Sequence, residues 1–435
     1  MRRSLISVTI AVGIVTVGPA WPAGALQSAT ASQPTTASQP NSNVLFAPDL
    51  AAHPQEESGY PRLLRLQHSG AANGTLLATF THAGGAPPKA SLPIYRSDDA
   101  GVTWTSQPVG RVTDTVHGWD LEAPALFELP TAQGDLPAGT LFAAGTAWNR
   151  DDFRQQAMMV YISRDHGVSW SYRSACASES LQVNTKGHGI WEPQFVITAD
   201  GSLNCFFSDE RPSSDGFAQV IAHVRSTDGG ATWGPEIFDA AVRDGIQRPG
   251  MPTVVHLPNG TYAMTLEDCL AGHDPDQVCT DYLKISPDGQ DWTPVSTLGA
   301  PIATADGHRL LHTPTLAWSP AGGPQGTLMV SGQRVVTGPE GQVAVLPQSG
   351  HVVMVNTALG TGPWQEIDTP FVIDPTGGYG PGETGCPGYS SPVLPAASPS
   401  DLSFMFMAGT ALPNGKCEVR YGIGSLRKTI RRSPR

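Results

Sequence analysis

The fold is decided by residues 97–104 (SDDAGVTW), a motif that recurs at residues 163–170 (SRDHGVSW) and 226–233 (STDGGATW). A fourth copy, one residue shorter, occupies residues 286–292 (SPDGQDW), and successive copies start 60 to 66 residues apart. In such an Asp-box the Asp can accept backbone N–H bonds across a tight turn, the Gly takes a conformation that other residues avoid, and the Trp packs between sheets. The motif therefore predicts a repeated β unit and a structural rather than a catalytic role.

Two further features recur in phase with the Asp-box. A hairpin turn with Gly or a substitute appears six times, at Gly74, Gly139, Gly201, Gly260, Gly326 and Asp401. A proline followed by an apolar run precedes each turn, at Pro61, Pro124, Pro193, Pro252, Pro314 and Pro392. Six units of four antiparallel strands predict an all-β fold, a six-bladed β-propeller with Asp-box repeats. The 48 glycines and 39 prolines fit a chain with this many turns.

The two ends of the chain read as segments outside the propeller. Residues 1–25 combine Arg2 and Arg3, an apolar stretch too short to span a bilayer and an Ala-Gly-Ala cleavage site, which predicts a signal peptide and a secreted protein. Residues 26–44 are uncharged and rich in Ser, Thr and Pro, which predicts a disordered linker. The propeller is expected over residues 45–426, and residues 427–435 form a basic tail.

Six cysteines in an exported chain predict disulfides. Proximity in sequence favours Cys269 with Cys279 and Cys386 with Cys417, which leaves Cys176 with Cys205. No cysteine has the spacing of a metal ligand, so neither a metal nor a cofactor is expected. The formal net charge of −12 argues against nucleic acid and anionic membranes as partners and favours a neutral oligosaccharide or polysaccharide. A monomer is expected because a propeller buries its own sheet edges.

Strand order places the predicted chemistry at the face opposite the Asp-boxes. In a four-stranded meander the start of the first strand and the end of the second strand both lie at that face, around the central axis. The substrate-binding residues predicted there are Arg62, Glu122, Trp191, Glu210, Arg248, His312 and Arg334. Carboxylates, arginines and aromatic rings in one funnel are the composition expected of a sugar site.

Two glutamates stand out among the carboxylates. Glu192 (in GIWEPQF) and Glu267 (in YAMTLEDC) each lie at the end of an apolar strand, one blade apart. Carboxyl groups on neighbouring inner strands can come within the roughly 5 to 5.5 Å that retaining glycosidases use, one attacking the anomeric carbon and the other donating a proton. Asp209 and Glu210 compete with Glu267 for the acid role, and these residues alone do not assign the nucleophile.

Residues 189–210 and 248–268, with YPRLLRL at 60–66 and Asp-boxes between, resemble glycoside hydrolase family 93, the exo-α-1,5-L-arabinanases, within the sialidase-like propellers. The similarity spans most of residues 58–410. It implies a retaining exo-enzyme that releases arabinobiose from linear arabinan, with Glu192 matching the nucleophile and Glu267 the general acid/base. A family tyrosine that supports the nucleophile matches Tyr389 in GCPGYSSP.

Two alternatives remain open at this stage. An exo-sialidase would grip a substrate carboxylate with Arg62, Arg334 and Arg420 and attack through Tyr389 or Tyr421. A non-catalytic glycan-binding propeller would use the same funnel without cleavage. Whether Glu192 and Glu267 face each other discriminates between hydrolysis and mere binding.

Overall fold

The computed structural model describes residues 42–151, 155–178, 189–374 and 386–427, which belong to one compact unit, Gln39–Arg435. The predicted signal peptide, residues 26–41 of the predicted linker and residues 428–435 of the basic tail lie outside the described residues. The prediction of a linker up to residue 44 is wrong for residues 42–44, which belong to a strand that pairs with the last sheet. Regular structure in the described ranges consists of β-strands and two short 3-10 turns, Gly70–Ala72 and Arg211–Asp215. It includes no helix that is long and apolar enough to cross a membrane.

The first half of the chain forms three antiparallel four-stranded sheets in simple chain order, after a short strand β1 (Ser42–Phe46). The first sheet consists of β2 (Glu57–Arg65), β3 (Leu76–Ala83), β4 (Leu92–Ser97) and β5 (Gly110–Val112). The second consists of β6 (Asp120–Glu128), β7 (Leu141–Trp148), β8 (Gln156–Ser163) and β9 (Ser171–Ser178). The third consists of β10 (Ile190–Ile197), β11 (Leu203–Asp209), β12 (Val220–Ser226) and β13 (Ile237–Ala240).

The next part of the chain departs from that plan. Its strands are β14 (Pro249–His256), β15 (Tyr262–Asp268), β16 (Thr280–Ser286), β17 (Ala300–Pro301), β18 (Arg309–Leu311), β19 (Thr315–Ser319), β20 (Thr327–Ser331), β21 (Arg334–Thr337), β22 (Ala344–Val345), β23 (Val352–Asn356) and β24 (Gln365–Asp368). The fifth sheet is four-stranded, with the order β19-β20-β23-β24. The fourth has seven strands, because β18, β21 and β22 continue it beyond β16 and β17 also pairs with β16.

The sixth sheet contains both ends of the described chain. Its strands β25 (Val393–Pro395), β26 (Ser403–Ala411) and β27 (Cys417–Ser425) are completed by β1, which pairs with β27. The prediction of a propeller is confirmed, but the prediction of six equal four-stranded blades holds for only five of the sheets. The fourth sheet is larger because the first two strands of the fifth unit are each split in two. The leading half of the first strand (β18) and the trailing half of the second (β21) pair with the neighbouring sheet.

The first strands of the six sheets surround a common axis. Each first strand contacts the first strand of the next sheet, in the order β2, β6, β10, β14, β19 and β25, and β25 contacts β2. An apolar cluster fills the space between each pair of adjacent sheets. Between the first and second sheets, for example, Leu77 and Ile94 pack with Leu121 and Met159. The core is therefore divided among the sheet interfaces, and the hydrophobic effect holds each sheet to its neighbours.

The Asp-boxes have the structural role that their sequence predicts. Asp99 accepts hydrogen bonds from the Thr103 backbone N (2.9 Å), the Thr103 hydroxyl (2.6 Å) and the Ser97 hydroxyl (2.8 Å). These bonds lower the pKa of Asp99 to about 2, with the Thr103 hydroxyl as the largest cause. The tryptophan of the third box bonds the preceding sheet, since Trp233 Nε1 donates to Ser174 Oγ on β9 at 2.9 Å, whereas Trp170 and Trp292 donate to the glycine carbonyl of their own boxes.

The recurring prolines mark a β-bulge near the start of the inner strands. The register of β2, β6, β10 and β14 with the following strand shifts at the residue before the proline. Those residues have positive φ, namely Tyr60 (56°), Ala123 (50°), Glu192 (64°) and Met251 (56°). Proline has no N–H to donate to the strand ladder, so it is tolerated at a bulge. A bulge redirects a side chain, and in these inner strands the redirected residue is the one before the proline.

All three predicted disulfides are present: Cys176–Cys205, Cys269–Cys279 and Cys386–Cys417. The third joins the segment before β25 to the start of β27. The second closes the loop between β15 and β16, beside the mouth of the axis.

Candidate active site

Glu192 lies on the bulge of β10, half-buried at the axis. Its Oε2 accepts hydrogen bonds from Ser208 Oγ (2.8 Å) and from Met251 N (3.2 Å), which belongs to the inner strand of the next sheet. In the described part of the chain its Oε1 accepts no hydrogen bond. Burial raises the pKa of Glu192, while the Ser208 bond, the charge of Arg248 and the Met251 bond act in the opposite direction. The carboxylate is thus held firmly by one oxygen and open at the other.

Glu267 lies near the end of β15 and is 4% exposed. Its Oε2 accepts one hydrogen bond, from Thr313 N at 2.7 Å. Glu267 pairs in register with Gly250, the neighbour of the Met251 that bonds Glu192, so the two acids converge on the same stretch of β14. The pKa of Glu267 is raised to about 7, chiefly by burial and with a contribution from the charge of Glu192, while the Thr313 bond acts in the opposite direction. The structure therefore brings the two predicted glutamates together and places them in different electrostatic surroundings.

Arg248 lies among three acids at this site. Its Nη2 forms an ion pair with Glu210 Oε1 at 2.6 Å. Burial lowers the pKa of Arg248, but Glu210, Glu192 and Glu267 outweigh it and the pKa is raised. Arg248 is thus placed to balance the negative charge of the glutamate pair.

The two carboxylates that compete with Glu267 for the acid role are both tied to arginines. Glu210 is bound by Arg248 and also accepts a bond from Gly189 N at 2.7 Å. Asp209 is bound by Arg211 at 2.6 Å. In the described ranges the nearest basic group to Glu267 is the His312 ring, 3.9 Å away. Both competing carboxylates are thus engaged by arginines, so Glu267 is the better candidate for the proton donor.

Two tyrosines and an arginine form one wall of the site. The Arg62 guanidinium lies 4.4 Å from the Tyr60 ring centroid, and its Nη1 donates to Ser390 O (3.1 Å) and Ser390 Oγ (2.9 Å). The Tyr60 and Tyr389 rings are 5.5 Å apart. Burial raises the pKa of Tyr60 well above its ordinary value, and Glu192 raises it further. The predicted residues Arg62 and Tyr389 therefore lie at the site. Both contact Tyr60, which was not among the predicted site residues.

A second wall is built from tryptophans. The Trp191 and Trp148 rings are 4.5 Å apart, and Trp191 Nε1 donates to Glu210 Oε2 at 3.3 Å. Arg150 lies over Trp148, 4.8 Å from its centroid, and forms an ion pair with Glu122. Glu122 is thus engaged by a protein cation, whereas the tryptophans offer apolar surface of the kind that packs against sugar rings.

His312 and Arg334 form the side nearest the enlarged fourth sheet. Arg334 Nη1 bonds Asp276 Oδ1 at 2.7 Å, and His312 Nε2 is 3.9 Å from the same oxygen. Burial and, next, the charge of Arg334 lower the pKa of His312 to about 4, so this ring is neutral at pH 7. The sulfurs of Cys269 and Cys279 and a ring nitrogen of His312 lie within 4.8 Å of one another, but the two sulfurs are joined in a disulfide.

Sequence reasoning placed Tyr60 at the mouth of the axis but did not include it among the predicted site residues, and it missed Ser208, Asp276 and Asp281. Asp281 is the cross-strand partner of Glu267, is fully buried and has no hydrogen bond to either oxygen in the described ranges. Burial raises its pKa well above the ordinary value. The proline after Tyr60 was a usable signal, because the same proline follows Glu192. Strand pairing, which the sequence does not reveal, was needed for Ser208 and Asp281, and the ion pair with Arg334 was needed for Asp276.

The residues required by the sialidase alternative are not gathered at the axis. Arg420 lies on β27 and is paired with Glu418. Tyr421 packs against the box residue Trp104, with the rings 5.9 Å apart. Arg334 is already paired with Asp276. Of the three arginines, Arg62 alone faces the glutamate pair, so a triple-arginine carboxylate clamp is not formed.

A cavity of about 680 Å³ lies at the other end of the inner strands and contains none of the predicted site residues. Its lining includes Leu64, Phe127, Ile197 and His256. These residues are near the last positions of β2, β6, β10 and β14, whereas Tyr60 and Glu192 are near the first positions of β2 and β10. The cavity and the glutamate pair are thus at opposite faces.

The ring of Asp-box sheets, with buried carboxyl groups at its axial mouth, defines the class of Asp-box β-propellers. The family of BNR repeat-like domains matches residues 47–301, more than half of the sequence. The chain therefore belongs to the BNR repeat-like family. No curated protein matches the sequence.

Solved structures support the resemblance to glycoside hydrolase family 93. The α-L-arabinanase of Penicillium chrysogenum, solved with arabinobiose, is 27% identical with a TM-score of 0.72, over 90% of this chain and 99% of that one. The family 93 α-L-arabinofuranosidase of Fusarium graminearum, also solved with arabinobiose, is 28% identical with the same TM-score, over 89% of this chain and 98% of that one. A Hadza microbial sialidase is 13% identical with a TM-score of 0.53, over 89% of this chain and 68% of that one, a likeness of fold alone. The predicted resemblance to glycoside hydrolase family 93, within the sialidase-like propellers, is confirmed.

Proposed function

We propose that the chain is a retaining exo-glycoside hydrolase, an exo-α-1,5-L-arabinanase that releases arabinobiose from linear arabinan. The observation that carries the proposal is the difference between Glu192 and Glu267. One carboxylate has two hydrogen-bond donors and a nearby arginine, and the other is buried with one donor and a pKa of about 7. Retaining glycosidases need this combination of an ionised and a protonated carboxyl group. The likeness to two structures solved with arabinobiose supports the choice of sugar.

In the first step Glu192 attacks the anomeric carbon through Oε1, its open oxygen. As the glycosidic bond breaks, Glu267 gives its proton to the leaving oxygen, so the departing chain leaves as a neutral alcohol. Ser208 Oγ and Met251 N hold Oε2 of Glu192 during the attack. In the second step Glu267, now ionised, takes a proton from water, and the hydroxide displaces Glu192 to release the sugar with its original configuration.

The remaining predicted site residues serve binding and charge balance in this proposal. Trp191 offers a ring face to a sugar, and Tyr389 supports the wall behind Tyr60. Arg248 and Arg62 stabilise negative charge on Glu192, whose pKa both of them lower. Glu122, Glu210 and Arg334 act from within ion pairs, and His312 acts as a neutral ring beside Glu267.

The proposal also includes the number of blades, the secretion of the enzyme and its oligomeric state. We take the seven-stranded sheet as one enlarged blade among six, since its inner strand β14 contacts β10 and β19 as the other inner strands contact their neighbours. Three disulfides favour an oxidising environment and so a secreted enzyme. We further propose that the enzyme is a monomer and needs no cofactor.

The test is product analysis. Purified protein is incubated with linear 1,5-arabinan and, separately, with a fluorogenic sialoside, alongside the Glu192→Gln and Glu267→Gln variants. Arabinobiose that is released by the wild type and lost in both variants supports the proposal. Release of sialic acid would replace it with the sialidase alternative. Tight glycan binding without any product would replace it with a binding propeller.

A further inference from the structure

A loop at the axial face carries two stacked rings outside the glutamate pair. The loop joins β5 to β6, and β6 starts at this face. The His117 and Trp119 rings are 4.2 Å apart, with an angle of 16° between their planes. Trp119 is partly buried against the apolar cluster between the first and second sheets, and the His117 side chain is 34% exposed. The stack therefore supports an exposed ring on one that is anchored in the core.

The loop is held in one conformation by Asp114. This residue is 6% exposed, and its carboxylate accepts hydrogen bonds from Val116 N (3.0 Å), His117 N (3.2 Å) and Trp119 N (3.1 Å). Its Oδ2 also lies 3.3 Å from Nδ1 of His117, so the backbone and the ring of that residue are both restrained. A surface that is ordered before binding loses little conformational entropy when a ligand arrives. The loop thus has the order of a binding surface, although no step of the proposed mechanism uses it.

Neighbouring side chains connect the stack to the glutamate pair. Asp120 follows Trp119, and its Oδ2 lies 3.9 Å from Arg150 Nε. The Arg150 guanidinium lies 4.8 Å from the centroid of Trp148, whose ring is 4.5 Å from that of Trp191. Trp191 directly precedes the nucleophile of the proposed mechanism. We call this set of residues the rim track: His117, Trp119, Asp120, Arg150, Trp148 and Trp191.

The charged groups along the rim track balance each other. Lys89 Nζ lies 3.4 Å from Asp120 Oδ2, and Arg150 forms an ion pair with Glu122. These two cations and two carboxylates carry no net charge, so a strongly anionic polymer gains no attraction from them. Ring faces and paired ions suit a neutral sugar chain, which can pack against the rings and exchange hydrogen bonds with the polar groups.

We propose that the rim track binds the part of the arabinan chain that lies beyond the cleaved bond, with His117 as its outermost contact. The inference rests on the proposed function, because an enzyme that releases a terminal disaccharide must let the rest of the chain cross the rim of the site. The side nearest the fourth sheet ends in the ion pair between Arg334 and Asp276, whereas the tryptophan side continues to an exposed ring. The enzyme therefore prefers long chains to short ones, and His117 contributes to that preference.

The experiment measures kcat/KM of His117→Ala and of the wild type on 1,5-linked arabinotriose and arabinohexaose. After the terminal disaccharide, the trisaccharide has a single residue left to contact the rim track, whereas the hexasaccharide extends further along it. The proposal predicts that His117→Ala lowers kcat/KM on the hexasaccharide by roughly 3- to 10-fold, the effect of losing one ring contact, and leaves the trisaccharide unchanged. His117→Phe, which keeps a ring, is expected to retain the preference for the hexasaccharide.

His256→Ala is the matched control. His256 is also an exposed histidine beside an aromatic ring, 4.7 Å from that of Tyr262, but it lies at the opposite face, so its loss changes neither rate. Equal losses on the two substrates in His117→Ala, or no loss on either, would overturn the proposal. The same chain-length effect in His256→Ala would overturn it as well.

Binding separates this inference from the proposed function. The two oligosaccharides are titrated calorimetrically into Glu267→Gln, with and without His117→Ala. Tighter binding of the hexasaccharide that is lost with His117→Ala supports the rim track even if the wild type cleaves neither sugar. Equal affinities for the two oligosaccharides, or binding of neither, would reject the rim track even if the wild type is active.

Discussion

At the scale of single residues, Glu192 and Glu267 obtain different chemistry from the same side chain. Glu192 has donors on its carboxylate from Ser208 and Met251, and Arg248 adds positive charge. Glu267 is more deeply buried and has one donor, Thr313 N. Burial penalises the charged form and donors favour it, so environment alone separates the two roles.

This difference predicts how activity depends on pH. The active form has Glu192 ionised and Glu267 protonated, so kcat/KM falls as pH drops through the pKa of Glu192, which is raised above its ordinary value, and falls as pH rises through about 7. In Glu267→Gln the fall at high pH disappears, and an activated aryl substrate, which needs no proton, retains measurable rate. The measurement is kcat/KM against pH for both proteins. A high-pH limb that persists in Glu267→Gln would assign the acid role elsewhere.

Sequence reasoning succeeded at this scale where a residue sits in a repeated frame. Glu192, Trp191 and Arg248 were found because each starts an inner strand. Tyr60 lies in the same frame, but its contacts with Arg62 and Tyr389 form only in the folded environment. Ser208 and Asp281 depend on strand register with Glu192 and Glu267, and register is set by pairing partners that lie far along the chain.

At the scale of elements, two recurring features of the sheets, the bulge and the Asp-box, have separate roles. The bulge at the proline of four inner strands, β2, β6, β10 and β14, directs a side chain toward the axis, and the Asp-box stabilises the turn at the opposite end. Both devices were visible as motifs, but only the Asp-box had a mechanism that the sequence made evident. The bulge requires a positive φ at Glu192 and Tyr60, which no propensity predicts for such residues.

The separation of these devices predicts a clean split between stability and catalysis. Asp228→Ala removes the acceptor for Thr232 N (3.0 Å), the Thr232 hydroxyl (2.6 Å) and Ala231 N (3.0 Å), and is expected to cost about 1 kcal/mol of unfolding free energy. Urea denaturation measures the loss, and kcat/KM of the folded variant is expected to equal that of the wild type. The exposed neighbour change Thr227→Ala is the control, with neither effect. A large loss of kcat/KM in folded Asp228→Ala would give the Asp-box a part in the chemistry.

At the scale of the whole molecule, β1 completes the sixth sheet and joins the start of the described chain to its end. Phe46 of β1 packs on Phe80 and His82 of the first sheet, with ring centroids 5.2 and 5.1 Å apart. β1 therefore pairs with the last sheet while packing against the first. The repeat pattern did not predict this closure, because the sequence of β1, SNVLF, matches no part of the Asp-box unit.

Closure by β1 predicts that a small change there lowers the stability of the whole ring. Phe46→Ala is expected to reduce the free energy of unfolding by about 2 kcal/mol, since a partly buried ring is lost. Val44→Ala, on the same strand but 43% exposed, serves as the matched control with a much smaller effect. Chemical denaturation of both variants decides the matter. Equal effects would show that Phe46 packing does not fasten the ring.

At this scale the sequence predicts the features that repeat in every unit and misses those that occur once. The Asp-boxes, hairpin turns and prolines predicted a propeller because each unit carries the same signals. The enlargement of the fourth sheet was missed because β18 and β21 leave their own unit to pair with the neighbour, a tertiary choice with no local signature.

The central claim is that Glu192 is the nucleophile of a retaining glycosidase at the axial site. The most direct measurement is peptide mass spectrometry after incubation with an activated 2-deoxy-2-fluoro arabinofuranoside, which slows the second chemical step and leaves the sugar attached to the residue that attacked. The account predicts a single adduct on Glu192, and no adduct in Glu192→Gln. An adduct on Glu267, Tyr60 or Tyr389, in protein that is active on arabinan, would contradict it.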